Sequence, residues 1–155
     1  MSAALTSDWL TSVDLQEIAE RVWSSYLDPD GASPLEPGRH DADPEMTASI
    51  SVTGAWDGHI VISCTSQAAT HMAATMLGLA DDEIGLDDMV DTTGEMANVV
   101  GGNVKNRLPQ PSMLSLPQVV LGAGLRFPAT RQVCSLTWFW RGEPVRITVW
   151  QFDIG

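Results

Sequence analysis

Two polar residues near the middle of the chain have the types and the spacing that water-orienting chemistry requires. A carboxylate, Glu95, is followed three residues later by a carboxamide, Asn98. In an α-helix these two residues lie side by side on one face. A carboxamide can accept a hydrogen bond from water while it donates another to a phosphoryl oxygen. Asn98 could therefore hold an attacking water in line without forming a covalent bond.

The run that contains this pair separates into a polar side and an apolar side when it is drawn as a helix. At about 100° per residue, five residues fall within roughly 80° of one another, and we call them the polar stripe. The polar stripe consists of Asp91, Glu95, Asn98, Gly102 and Lys105. The opposite side consists of Met89, Thr93, Met96, Val100 and Val104, with Ala97 and Leu108 beside them. The apolar side is predicted to be buried, and the polar stripe to face outward.

Two adjacent glycines inside this helix need an explanation. Gly101 and Gly102 each cost about 1 kcal/mol of helix propensity relative to alanine. Close approach of a partner's backbone, or of another element of this fold, would account for them. Acidic, amide and lysine side chains on one helix side are also what a plain solvated surface shows, and the residue pattern alone leaves that alternative open.

Other candidate sites in the sequence are weaker. Neither cysteine has a histidine close by in sequence, and no Gly-x-Ser-x-Gly or Gly-x-x-x-x-Gly-Lys signature occurs, so a self-contained hydrolase is unsupported. The segment from His40 to Asp43 holds metal-ligand residue types, but it lies among prolines without a second cluster, and we expect a loop there. His59 and His71 are expected to be structural or surface residues. We predict no metal bound by this chain.

Composition limits the class of partner. The chain has 155 residues, 44% of them hydrophobic, and a formal net charge of −12 with Lys105 as its only lysine. One domain spanning residues 1–155 is expected, and nucleic acid and membrane surfaces are disfavoured as partners. Cys64 and Cys134 lie in apolar runs, which predicts buried, reduced thiols. The N-terminus lacks a basic and apolar leader, so we expect a soluble cytoplasmic protein.

The helices that surround the polar stripe can be predicted from periodicity and caps. Asp14 is a candidate N-cap for an amphipathic helix that reaches about Leu27, with Trp23 as its anchor. The segment 28–45 is rich in proline and glycine and is predicted to be a loop. A short helix over 67–77 should stop at Gly78. The stripe helix is predicted over 87–108, with Asp87 and Asp88 capping its start and Pro109 ending it.

The strands cluster in hairpins rather than alternating singly with helices. Residues 46–55 and 59–65 are predicted to pair around Asp57-Gly58, and further strands are predicted over 118–127, 132–140 and 145–152. This order favours an α+β fold, a largely antiparallel β-sheet covered by helices, one of which is the long helix with the Glu-x-x-Asn motif. The rings of Trp138, Phe139, Trp140 and Trp150 could form an aromatic ladder, a sheet core or a dimer surface.

The segment from Asp91 to Leu108, taken with Leu116-Pro117-Gln118-Val119-Val120-Leu121-Gly122, resembles the CheC/CheX family of chemotaxis phosphatases. The family helix carries an acidic residue, then Glu, two residues and Asn, and these positions correspond to Asp91, Glu95 and Asn98. The chain shows one such motif, whereas the CheC branch usually has two, so the CheX branch is the closer match. The resemblance covers most of the chain from about residue 46 onward.

This resemblance implies a phosphatase that acts on a phosphorylated CheY-like response regulator. Asn98 would position the attacking water, and Glu95 would pair with the regulator's active-site lysine. Asp91, Gly102 and Lys105 would contact the partner. The regulator would supply Mg²⁺, and the protein would be a homodimer. Two alternatives remain: a non-catalytic module that binds a receiver domain or another signalling protein through the same face, and a structural homologue whose face contacts only its own dimer mate.

Overall fold

The structure, a computed structural model, describes residues 10–123 and 126–153, in which helices cover one face of an antiparallel sheet. The seven strands are β1 (Glu36–Pro37), β2 (Met46–Gly54), β3 (Gly58–Cys64), β4 (Ser112–Leu114), β5 (Gln118–Leu121), β6 (Thr130–Trp140) and β7 (Glu143–Phe152). Their order across the sheet is β1-β6-β7-β3-β2-β4, and β5 pairs with the other end of β2. All pairings are antiparallel, which confirms the predicted α+β class.

The hairpin of β2 and β3 forms at the turn that the sequence predicts. The Asp57 carboxylate accepts a hydrogen bond of 3.0 Å from the backbone N–H of Gly54. Gly58 is required by space, because a Cβ there would lie 2.1 Å from the carbonyl oxygen of Trp150 on β7. The hairpin therefore joins the sheet interior directly, with β3 between β2 and β7.

Three α-helices are present in the described residues: α1 (Ser12–Tyr26), α2 (Ser66–Leu77) and α3 (Leu86–Lys105). The N-cap of α1 is Thr11, and the prediction of Asp14 was wrong. Thr11 accepts from the N–H of Asp14, whose carboxylate accepts from the N–H of Thr11 at 2.9 Å. The two residues form a reciprocal capping box. Gly78 ends α2 with φ of 68°, as predicted.

The stripe helix α3 begins and ends within three residues of its predicted bounds. The Asp88 carboxylate accepts from the N–H of Gly85 at 3.0 Å, so Asp88 caps the helix. The helix stops at Lys105 rather than Leu108. The N–H groups of Arg107 and Leu108 bond three residues back, to Val104 and Lys105, which tightens the chain. Pro109 then disfavours helical backbone in the residue before it.

The structure differs from the predicted strands and loops in three places. The predicted strand 118–127 ends at Leu121, because Gly122 turns the chain with φ of 83°; residues 124 and 125 lie outside the described residues. The proline-rich segment 28–45 is a loop except for β1, which pairs with β6. Strand β4, which has three residues and pairs with the far end of β2, was not predicted.

The core lies between the sheet and the helices. Trp23, Trp138 and Trp140 are at most 1% exposed, so the tryptophans of β6 belong to the core. Phe139 and Trp150 lie on the opposite face of the sheet, because side chains alternate along a strand. Cys64 and Cys134 are buried and free, as predicted, on β3 and β6 with β7 between them.

Candidate functional site

The structure brings the five residues of the polar stripe to one outward face of α3. Asp91, Glu95 and Asn98 are exposed, while Gly102 and Lys105 are half-buried. The predicted apolar side faces the core, where Thr93, Met96, Val100 and Val104 are fully buried. The helix geometry predicted from the sequence is therefore confirmed, whereas the roles of the side chains remain predictions.

Close packing against the sheet fixes the position of α3. A Cβ at Gly101 would lie 2.9 Å from Cγ2 of Ile50 on β2, so this glycine lets the helix approach the sheet. The Thr93 hydroxyl donates to the carbonyl of Met89 at 2.7 Å and lies 3.1 Å from Sδ of Met46. These contacts set the rotation of the helix about its axis and so hold the polar stripe outward.

Ion pairs hold the C-terminal end of α3 against α1. The Arg107 guanidinium lies 2.7 Å from Oδ1 of Asp14 and 3.3 Å from Oε2 of Glu17. Hydrogen bonds from Thr11 and the charge of Arg107 lower the pKa of Asp14 below its usual value of 3.8. Arg107 therefore stabilises the contact between α1 and α3. Lys105 is the one cation among the five residues of the polar stripe.

Glu95 and Asn98 are presented without internal partners. Among the described residues, neither side chain takes part in a hydrogen bond or an ion pair. Their positions are separated by about 4.5 Å along the helix axis, and Asp91 lies about one turn before Glu95. A carboxylate and a carboxamide at this separation can contact neighbouring groups of a single bound molecule.

The segment that includes Pro117 and Val119 packs against α3 beside the polar stripe, and this contact was not predicted from the sequence. A Cβ at Gly94 would lie 3.3 Å from Val119 and 3.6 Å from Pro117, so the segment before β5 packs directly against α3. The preceding residue, Leu116, is 88% exposed. Gly94 is the residue from which this contact could have been predicted, because a glycine inside a helix costs about 1 kcal/mol and implies a close neighbour.

The charged side chains around the polar stripe are distributed unevenly along α3. The exposed carboxylates that precede α3 or lie in its N-terminal half are Asp81, Asp82, Glu83, Asp87, Asp91 and Glu95. His71 on α2 lies 2.9 Å from Asp81 and holds this acidic segment against the helices. The N-terminal half of the stripe is therefore negative, and Lys105 makes the other end positive.

The described residues include neither a metal-binding cluster nor a helix that could cross a membrane. Residues 10–123 and 126–153 contain no group of three or more His, Cys, Asp or Glu side chains arranged to hold a metal ion. In the same ranges, no helix combines the length and hydrophobicity that crossing a membrane requires.

Fold and site together define a small α+β protein that presents a carboxylate and a carboxamide from one helix. The family described as "Chemotaxis phosphatase CheX" matches residues 46–138, which is more than half of the chain and includes Glu95 and Asn98. The chain belongs to this family. No protein of curated function matches it in sequence.

Solved structures of chemotaxis proteins share the fold over most of their length. CheX from Vibrio vulnificus is 18% identical and aligns over 89% of this chain and 93% of its own, with a TM-score of 0.73. CheX from Desulfovibrio desulfuricans is 17% identical over 89% and 96% of the two chains, with a TM-score of 0.69. A CheX-CheY-BeF3-Mg²⁺ complex from Borrelia burgdorferi contains a chain that is 16% identical over 88% and 94%, with a TM-score of 0.70.

Proposed function

We propose that this protein is a CheX-like phosphatase that accelerates hydrolysis of the phosphoaspartate of a CheY-like response regulator. Two findings support the proposal together. The chain belongs to the CheX family, and it presents Glu95 and Asn98 outward on one rigid helix, where neither side chain has a hydrogen bond to another described residue. The second finding carries the proposal, because a side chain that must orient a partner's groups has to be unengaged in its own protein.

Asn98 would act on the attacking water. Its carboxamide oxygen accepts a hydrogen bond from the water, and its NH2 donates to a phosphoryl oxygen, which places the water in line with the bond that breaks. A glutamine does comparable work in GTPases. A hundredfold acceleration requires a barrier lower by about 2.7 kcal/mol, which one well-placed side chain can supply.

Glu95 would set the register between the two proteins. It would pair with the lysine of the regulator's active site, and an exposed carboxylate at a fixed height on the helix suits that contact. Pairing a carboxylate with a partly desolvated ammonium gives a strong, directional hydrogen bond. Once this bond forms, Asn98 lies about 4.5 Å further along the helix axis, towards the phosphoryl group.

The magnesium ion would belong to the response regulator. The Borrelia burgdorferi complex contains CheY, BeF3 and Mg²⁺ together with CheX, and the described residues of this chain include no metal-binding cluster. When bound, magnesium neutralises the charge on the phosphoryl oxygens. This chain would contribute the orientation of water and the contact with the regulator.

The remaining stripe residues would serve docking. Gly102 has nothing within 4 Å of the position that a Cβ would occupy, so a partner backbone can approach there. Asp91 and Lys105 lie at the two ends of the stripe and offer charges of opposite sign. We also propose, from the family resemblance, that the protein acts as a homodimer.

The test is the dephosphorylation rate of candidate receiver domains that have been phosphorylated by a small-molecule donor. The wild type should accelerate the loss of phosphate for one receiver, and Asn98→Ala should abolish the acceleration. Asn106→Ala is the matched control, because it removes an exposed amide about 12 Å further along the same helix axis. No acceleration of any receiver by folded protein would favour the non-catalytic binding module.

A further inference from the structure

The face of the sheet that the helices leave open carries a polar groove. Its floor is formed by β6 and β7, where Ser135 is opposite Thr148 and Thr137 is opposite Arg146. The hydroxyls of Ser135 and Thr148 are 2.8 Å apart. Arg39 and Asp41 lie at one rim, and Trp150 lies at the far end. We call this surface the outer groove.

The two arginines of the outer groove, Arg39 and Arg146, have no carboxylate partner in the part of the chain that the structure describes. The chain has 20 acidic residues and 8 basic ones, so carboxylates are abundant. Nevertheless, among the described residues, neither Arg39 nor Arg146 has a carboxylate within 4.0 Å. Arg146 is half-buried and donates to the backbone carbonyl of His40 at 3.2 Å, and further N–H groups of its guanidinium line the groove. A partly desolvated guanidinium is stabilised by a bound anion.

The far end of the groove offers an aromatic surface. The Trp150 indole packs against Phe127, with ring centroids 6.1 Å apart and planes 30° apart, and it also lines the groove. Arg146 and Trp150 are on the same face of one strand, about 13 Å apart along it. A molecule with a phosphate at one end and a planar ring at the other can span this distance.

We propose that the outer groove binds a nucleotide. Its phosphate would contact Arg146 and Arg39, because the planar guanidinium matches phosphate oxygens in pairs. The ring would pack against Trp150, and the hydroxyls of Ser135 and Thr148 would contact the sugar. The Asp41 carboxylate at the rim offers an acceptor for a sugar hydroxyl, a contact that carboxylates make in other nucleotide sites. This site lies on the opposite side of the sheet from the polar stripe.

The experiment titrates the isotopically labelled full chain with AMP, ribose 5-phosphate and inorganic phosphate, and follows amide shifts by NMR. We expect shifts in β6 and β7, with AMP binding more tightly than ribose 5-phosphate. Arg146→Gln and Arg39→Gln should each weaken AMP binding about tenfold or more. Arg21→Gln is the matched control, because it removes an exposed arginine on α1, and it should bind AMP as the wild type does.

Three outcomes would overturn the proposal. The first is the absence of groove shifts with AMP in the millimolar range. The second is equal weakening by Arg21→Gln and Arg39→Gln, which would show only a general charge effect. The third is a change in oligomeric state with Arg39→Gln and no AMP binding, which would assign the face to contact between copies. Equal affinity for AMP and ribose 5-phosphate would refute the role of Trp150. Amide spectra of the variants show that each is folded.

Discussion

Glu95 and Asn98 are adjacent on α3 but are proposed to do different work. A carboxylate that pairs with a partner's lysine stabilises the complex before and during the reaction. A carboxamide that orients water acts on the reacting atoms. Replacements at the two positions should therefore change different kinetic quantities. The distinction makes the proposed division of roles measurable.

Replacing Glu95 with glutamine should weaken binding more than it slows turnover. The change removes one charge from a desolvated ion pair, so the Kd for the beryllofluoride-activated regulator should rise about tenfold or more. Titration calorimetry measures that Kd. Glu20→Gln, which removes an exposed charge from α1, should leave it unchanged. Equal effects of the two replacements would show that only net charge matters.

The thiols of the two cysteines should be unreactive in the folded protein. Burial raises the pKa of Cys64 to about 12 and that of Cys134 to about 11. At pH 8 roughly one thiol in a thousand or fewer is therefore the reactive thiolate. We expect neither cysteine to react with a thiol reagent in the native state, and both to react in denaturant. Rapid labelling of native protein would contradict the buried placement on β3 and β6.

Helix α3 contains two adjacent glycines: one allows the helix to pack closely on the sheet, and the other leaves open space on the outward surface. Gly101 faces Ile50 on the sheet, while Gly102 faces open space. Sequence could show that both were costly in a helix but not which neighbour each one had. The helical period predicts the side of the helix on which each glycine lies. Only the packing of α3 on β2 shows why each of the two positions is a glycine.

Alanine replacements at these two positions should have opposite effects on stability. Gly101→Ala forces a methyl group against Ile50, and overpacking costs about 1–3 kcal/mol, more than the helix propensity gained. Gly102→Ala should raise the free energy of unfolding by up to about 1 kcal/mol, since nothing obstructs the methyl group. Urea unfolding measures both. Stabilisation by Gly101→Ala would show that α3 lies further from the sheet.

The junction of α1 and α3 should make stability depend on acid pH. The folded-state pKa of Asp14 lies below 3.8, through hydrogen bonds from Thr11 and the charge of Arg107. The Asp14 carboxylate therefore stabilises the fold above pH 3.8, and this contribution disappears as the pH falls through the lower folded value. Asp14→Asn should cost about 0.5–1 kcal/mol at pH 7 and nothing near pH 2. A pH-independent loss would contradict this account.

The elements that sequence predicted well are those with local signals. The β2-β3 hairpin follows from Asp57-Gly58, and the end of α2 follows from Gly78. The N-cap of α1 was misplaced because Thr11 and Asp14 are both good caps and bond each other. The short strand β4 was missed because it is set by pairing with β2, which is distant in sequence. Strand β5 is shorter than predicted because the chain turns at Gly122, and the apolar residues around this glycine had indicated a continuous strand.

In the whole molecule, the two faces of the sheet differ in charge. The helix side carries the polar stripe beside exposed carboxylates, and the open side carries the arginines of the outer groove. Arg146, Thr148 and Trp150 share one face of β7 because side chains alternate along a strand, and no helix of the described residues covers that face. The net charge of −12 therefore hides local surfaces of opposite sign.

Asn98 is proposed to orient water in a complex with the regulator. The most direct measurement takes one regulator and compares wild type with Asn98→Ala in two readings. These are the single-turnover dephosphorylation rate and the Kd for the beryllofluoride-activated form. We predict a rate loss of about a hundredfold with a nearly unchanged Kd. An unchanged rate in Asn98→Ala, or a rate loss explained entirely by weaker binding, would contradict the claim.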